Sequence, residues 1–305
     1  MNITDPIFTD EDKARAFLEA QRWPNGATCP FCGECEPVKS LPAEGSMGKG
    51  WYHCKSCRKK FTVRVGTLYE RSHVPLNKWL LATFLLTSSK KGMSAHQLHR
   101  MLGVTYKTAW FMAHRIREGM RDFNPGPMGG QNKVVEADET YVGGKAKNAK
   151  KGKPVPKKEA VFSLVERDGK VRSFHVPSVS RNTLRPILVS QIDRKSYLMT
   201  DEAGVYRSPG REFAGHGTVN HSIDEYVRGT FWHTNTIEGY FAILKRGITG
   251  VYQHVSQKHL KRYLGEFDFR YNERDLTDTE RTIAALKGIE GKRMTYRRTG
   301  EWGTA

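Results

Sequence analysis

The chain has 305 residues, with 50 Lys or Arg against 32 Asp or Glu and a formal net charge of +18. That length exceeds what one core usually organises, so two or three domains are expected, and the positive excess favours a polyanion, nucleic acid before an anionic membrane surface. No apolar run approaches the roughly 20 residues that span a bilayer, and the opening Met-Asn-Ile-Thr-Asp-Pro lacks the basic and apolar regions of a secretory signal, which together predict a cytoplasmic protein without a membrane partner.

Thr9 to Gln21 reads as a short helix, capped by Thr9 or Asp10, with Ala14, Phe17, Leu18 and Gln21 at helical spacing. The cysteine segment follows. Cys29-Pro30-Phe31-Cys32 and Cys54-Lys55-Ser56-Cys57 each place two thiolates on a tight turn, and the 21 residues between them let both turns converge on one tetrahedral Zn²⁺. Four thiolates leave no open coordination position, so this zinc is structural, holding up a segment too small to have a core. Cys35 is a spare thiol, because using it in place of a neighbour would break the paired spacing.

Leu76 to Glu118 reads as three helices, with a capping pattern at Ser94-Ala95-His96-Gln97 and a glycine turn at Leu102-Gly103-Val104-Thr105. The last two have the proportions of a helix-turn-helix, with Tyr106, Lys107, Thr108 and His114 on the exposed face and Ala109, Met112, Ala113 and Ile116 packed inward. A plain helical hairpin is the competing reading. The basic charge and the adjacent cysteine segment favour DNA binding.

After a Gly- and Pro-rich linker the texture changes to alternating strands and helices, with strands expected at 134–138, 160–165, 170–176 and 197–200. Helices are expected at 183–192, 235–246 and 256–271. Between Lys145 and Lys158 the chain carries seven lysines and no acid, a surface loop in which Lys150, Lys151 and Lys153 could neutralise phosphates without reading bases.

Three carboxylates lie at element ends: Asp138 after an apolar strand, Asp201 after Ser-Tyr-Leu-Met-Thr, and Glu238 early in a helix. One acid at a strand end is usually a cap or turn residue. Three that adjacent strands and a packed helix can bring together suit Mg²⁺, which takes hard oxygen ligands and keeps positions open for phosphate and water. On the same helix Asn235, Glu238 and Lys245 share one face, and Ile237, Phe241, Leu244 and Ile248 form the apolar stripe. Glu266 and Arg270, one turn apart, are expected to pair.

These segments resemble a known family. Arg22-Trp23-Pro24, Cys29-Pro30-x-Cys32-Gly33, Ala137-Asp138-Glu139-Thr140-Tyr141-Val142-Gly143-Gly144-Lys145, His221-Ser222, His233-Thr234-Asn235-Thr236-Ile237-Glu238-Gly239, Leu244-Lys245-Arg246-Gly247 and Glu266-Phe267-x-Phe269-Arg270-Tyr271-Asn272 are similar to the zinc-ribbon bacterial transposases of the insertion sequence 1595 group. The resemblance runs from about residue 7 to 275.

It implies an α+β multidomain chain: an N-terminal helix (1–25), zinc ribbon (26–70), helix-turn-helix region (71–122), linker (123–133), RNase H-like α/β catalytic domain (134–280) and basic tail (281–305). The implied reaction is DDE-type cleavage and strand transfer on double-stranded DNA, at the inverted repeats of a mobile element, with two catalytic Mg²⁺ for which Mn²⁺ can substitute. A homo-oligomer on DNA and work at the nucleoid are implied with it. Asp138 and Asp201 carry over as the first two acids. The third position in this family is Glu or Asn, and the chain offers both Glu238 and Asn235; Glu238 is preferred because an anionic oxygen binds Mg²⁺ better than an amide. Lys245 is expected to hold DNA phosphate. A zinc-ribbon transcription regulator would leave the second half unexplained, and a domesticated transposase that binds DNA without cutting is the competing reading, although the three acids and Lys245 are all present.

Overall fold

The first helix, α1 (Glu11–Arg22), begins at an aspartate: Asp10 accepts from the backbone N–H groups of Asp12 and Lys13, at 2.8 and 3.1 Å. These are donors that no helical carbonyl reaches. The computed structural model describes residues 1–144, 158–219, 227–228 and 232–295, so Lys150, Lys151, Lys153, His221 and Ser222 lie outside the described residues. The chain divides into two compact units, one of residues 1–89, 93–120 and those described after 275, the other of 90–92 and 121–275.

In the first unit, β1 (Val38–Ser40), β2 (Trp51–Cys54) and β3 (Lys60–Thr62) form an antiparallel meander. Its apolar content is one cluster in which Trp23 meets Tyr52 and Phe61 edge-on, at 5.3 and 5.9 Å between ring centroids. Helix α2 (Leu76–Ser88) is buried on almost every side. Its two interior hydroxyls are satisfied, Thr83 by the Trp79 carbonyl and Tyr69, Thr87 by the Thr83 carbonyl and Thr282. Helices α3 (Ala95–Leu102) and α4 (Tyr106–Gly119) flank the turn at Gly103, whose φ of 59° is a left-handed conformation that favours glycine. The Thr105 hydroxyl then caps α4 by accepting from the Thr108 N–H at 3.2 Å.

In the second unit five strands stand in the order β6-β5-β4-β7-β8: β4 (Val134–Val142), β5 (Glu159–Glu166), β6 (Val171–Val176), β7 (Tyr197–Asp201) and β8 (Gly215–Val219). β4, β5 and β6 are antiparallel neighbours, while β7 runs parallel to both β4 and β8. This mixed order is that of the expected RNase H-like domain. β9 (Val227–Arg228) and β10 (Trp232–His233) make a separate two-stranded ladder. Along the interior strand β5 six consecutive residues are buried, because both sheet faces are covered. Helix α5 (Arg181–Gln191) and Tyr206, just before the short α6 (Arg207–Gly210), cover one face; α7 (Asn235–Gly247) and α8 (Gln257–Asn272) cover the other. The expected Glu266–Arg270 pair forms on α8, with Tyr252 donating to the same carboxylate at 2.7 Å.

Three expectations need correction. β4 does not end at Asp138 but continues four residues to Val142, because its ladder with β5 runs on to Val142 opposite Glu159. His114 is fully buried, packed at 4.1 Å against the Trp110 ring, rather than on an exposed face. And residues 281–287, expected to open the basic tail, belong to a further helix, α9 (Asp278–Lys287), started by a complete Thr277–Glu280 capping box. It packs on α2 and α4, and the chain beyond it pairs back on residues 66–68, Leu68 N–H donating to the Ile289 carbonyl at 3.1 Å and Gly291 N–H to that of Gly66 at 2.9 Å. Among the described residues no helix is long and apolar enough to cross a membrane.

Candidate active site and metal centre

The paired cysteines converge as their spacing requires. Cys29 and Cys57 sulfurs lie 3.6 Å apart, as do those of Cys32 and Cys54, and all four fall within 4.8 Å of one another. Sulfurs at the corners of a tetrahedral zinc site, each about 2.3 Å from the ion, stand just under 4 Å apart, so this set fits zinc. The separation is far beyond a disulfide bond. The backbone N–H of Cys57 points at the Cys54 sulfur and lowers that thiol to about 7, which favours the thiolate a metal needs. Cys35 is exposed and outside the group.

On the sheet, side chains alternate between faces. Val135 and Ala137 of β4 enter the core under α5, so Glu136, Asp138 and Thr140 face α7. Glu136 lies opposite Met199, the last pair of the parallel β4–β7 ladder; Asp138 and Asp201 each follow that pair by two residues, and the Asp201 charge acts on Asp138. Asp138 therefore sits where β4 has left its ladder with β7 but stays paired with β5, within the strand rather than at its end. Asp138 Oδ1 accepts from the Glu139 N–H at 2.7 Å, and Asp201 Oδ1 from the Ala203 N–H at 3.1 Å. Glu238, in the first turn of α7, accepts from the Thr234 hydroxyl at 3.1 Å.

Asp138 feels the charges of the other two acids. Burial pushes Asp138 up to about 7, and the charges of Glu139, Asp201 and Glu238 push the same way, against the Glu139 N–H. A fourth acid is thus present. Glu139 accepts from the buried Tyr206 hydroxyl, and its carboxyl is raised by burial, with the Asp201 charge adding to that. Next to Asp201, Thr200 bonds His216 at 2.9 Å, and burial lowers that imidazole.

Asn235 and Lys245 are both exposed on α7. Seven residues separate Glu238 from Lys245, about 10 Å along the axis, so the lysine stands about two turns away from the acid. On α4, Tyr106 is exposed and stacks at 4.3 Å on His96, and Lys107 is exposed. The Thr108 hydroxyl is instead engaged with that of Thr105 at 2.9 Å.

Residues 129–272 match the model of the ISXO2-like transposase domain, and residues 9–60 that of a transposase zinc-ribbon domain, together well over half of the chain. The chain belongs to the insertion sequence 1595 transposase family. This transposase is 28% identical over 279 residues to an uncharacterised protein in transposable element ISH50 of Halobacterium salinarum, a match covering 86% of this chain and 91% of the relative. Among solved structures it is similar, at 15% identity and a TM-score of 0.28, to a chain of the simian T-cell lymphotropic virus intasome in complex with a PP2A regulatory subunit, over 60% of this chain and 66% of that one.

Two acids of the transposase, Glu136 and Glu139, escaped the reading of element ends. Glu136 had a signal: a charge inside the apolar run Val134-Val135-x-Ala137 has to be paired if that run is buried. Glu139 had none apart from adjacency to Asp138, since its partner Tyr206 is 67 residues away.

Proposed function

We propose that this transposase binds double-stranded DNA at the terminal inverted repeats of its element and catalyses Mg²⁺-dependent strand cleavage and strand transfer. The observation that carries the reading is that Asp138 and Asp201 each follow the last pair of two adjacent parallel strands by two residues, with Asp201 and Glu238 close enough that their charges act on Asp138. A carboxylate held up to about 7 by burial, with the charges of neighbouring acids pushing the same way, fits a hard divalent cation, which would offset both the burial and the repulsion. Asp138, Asp201 and Glu238 would hold two Mg²⁺, with Mn²⁺ able to replace them and Asn235 the alternative third donor. When bound, such ions activate the attacking oxygen and stabilise the leaving one.

The chain's own part is positional. The sheet fixes two acids from β4 and β7 and α7 brings the third, so the donor set is assembled on rigid elements before DNA arrives. Tyr106, Lys107 and Thr108 on α4 are assigned to the repeat DNA, Lys245 and the lysines at 150, 151 and 153 to phosphate, and the working form is a homo-oligomer on DNA at the nucleoid of the cytoplasm.

The test is a labelled duplex ending in the element's own inverted repeat, incubated with protein and Mg²⁺. Wild type should nick and join it, and Asp138→Ala, Asp201→Ala and Glu238→Ala should each abolish both steps while repeat binding stays within about twofold. Wild-type binding without cleavage would establish the domesticated, DNA-binding reading instead.

A further inference from the structure

Glu136 has no solvent exposure, an unusual place for an acid within a strand, and its carboxylate is surrounded by donors. Oε1 accepts from Arg167 Nε at 2.7 Å and from the Thr236 hydroxyl at 3.0 Å; Oε2 accepts from the Ile237 backbone N–H at 3.0 Å. His233 Nδ1 lies 3.4 Å from Oε1. Arg167 also donates from Nη2 to the His233 carbonyl, at 2.7 Å, and from its backbone N–H to Val134 of β4, at 3.0 Å.

Ile237 is the third residue of α7, so its N–H has no acceptor within the helix, and a carboxylate there also gains from the helix dipole. The placement matters because of what lies next to each partner. Glu136 is two residues before Asp138 on the same face of β4, and Ile237 immediately precedes Glu238. One hydrogen bond therefore joins the strand segment that carries the first acid to the helix turn that carries the third. From the other side, the Thr234 hydroxyl ties the Glu238 carboxylate to the helix cap.

Stability alone gives little reason for this pair. Burying a carboxylate and a guanidinium costs several kcal/mol in lost hydration, and well-packed apolar residues often replace such pairs without loss. What they could not replace is the directed contact with the start of α7.

We propose that Glu136, oriented by Arg167, is a positioning residue that docks the N-terminus of α7 on β4 and so holds Glu238 toward Asp138 for binding of a divalent cation. The inference rests on the assignment of Asp138 and Glu238 as cation donors.

The experiment measures Mn²⁺ binding to the zinc-loaded full chain by electron paramagnetic resonance of the free ion, well below each variant's melting temperature. Asp138→Ala should lose the site. Glu136→Gln, which turns an amide N–H₂ toward donors, should raise the Mn²⁺ Kd about tenfold or more, the range seen when groups behind metal ligands are changed. Thr236→Ala removes one of the several hydrogen bonds to the carboxylate and should raise it about twofold to fivefold with little change in melting temperature. If both bind Mn²⁺ as wild type does while Asp138→Ala does not, the positioning role is overturned and the acids keep theirs. Unchanged binding by Asp138→Ala overturns the donor assignment and the inference together. Should Glu136→Gln fail to fold, Thr236→Ala decides by the same comparison.

Discussion

The Tyr240 hydroxyl of α7 donates to the Asp268 carboxylate of α8 at 2.6 Å, within the sheet face these helices cover. Ser173 of β6 adds its N–H at 2.9 Å and its hydroxyl at 2.7 Å. Burial nevertheless pushes Asp268 up to about 6, against the pull of those donors. Since the folded value lies above the unfolded one, the stability this group contributes is complete below about pH 4 and lost as pH rises through 6. The advantage of wild type over Asp268→Asn in urea melts should shrink between pH 4 and 7, by at most about 3 kcal/mol. A difference that stays constant across this range would refute the assignment.

Arg22, at the end of α1, ties the ribbon to the returning C-terminal segment. Its Nη1 donates to the carbonyls of Val63 and Val65, at 2.7 and 2.9 Å, and its Nε to Glu290 at 2.9 Å. Arg22→Ala leaves those acceptors without their donor and should cost about 2–4 kcal/mol in a denaturant melt of the zinc-loaded protein. Arg22→Lys should recover less than half, because an ammonium cannot span all three acceptors. A loss below about 0.5 kcal/mol, the level of an ordinary surface change, would show that the contact is incidental.

Native mass spectrometry should find one zinc per chain. Cys54→Ser should lose it and Cys35→Ser should keep it, since only the first removes a member of the converging set. Full zinc in the Cys54 variant would sink the ribbon assignment.

Neutralising Lys150, Lys151 and Lys153 together should weaken binding to every duplex alike and make the dependence of affinity on salt shallower, each lost phosphate contact removing about 0.9 from the log–log slope. Loss confined to terminal-repeat DNA would mean that these lysines read sequence.

The third donor is decided by comparing two neighbours on α7. Glu238→Ala should abolish strand cleavage, whereas Asn235→Ala, at an exposed first helical position, should reduce it only partly. Wild-type cleavage by the Glu238 variant alongside an inactive Asn235 variant would reverse the assignment.

What could be read from the sequence is what depends on neighbours a few residues away. The four zinc-site thiols sit on two tight turns, the caps at Asp10, Ser94 and Thr105 serve N–H groups two or three residues on, and the stripe Ile237, Phe241, Leu244 and Ile248 is buried as its period requires. Tertiary structure decided the rest. Asp138-Glu139-Thr140 looks like the end of a strand, but pairing with β5 continues β4 through it, and that ladder is set by residues with no local link to the turn. The same polar look hid α9, whose apolar side acquires a partner only because α2 is apolar all round and needs covering. His114 was misplaced for the related reason that α2, α3 and α9 surround α4, leaving little of its later turns in water. Glu136 is the clearest case. In sequence it is one more acid, and the donors that give it a role come from Arg167 on one side and Thr236 and Ile237 about a hundred residues along the chain, brought to it by the stacking of a helix on a sheet.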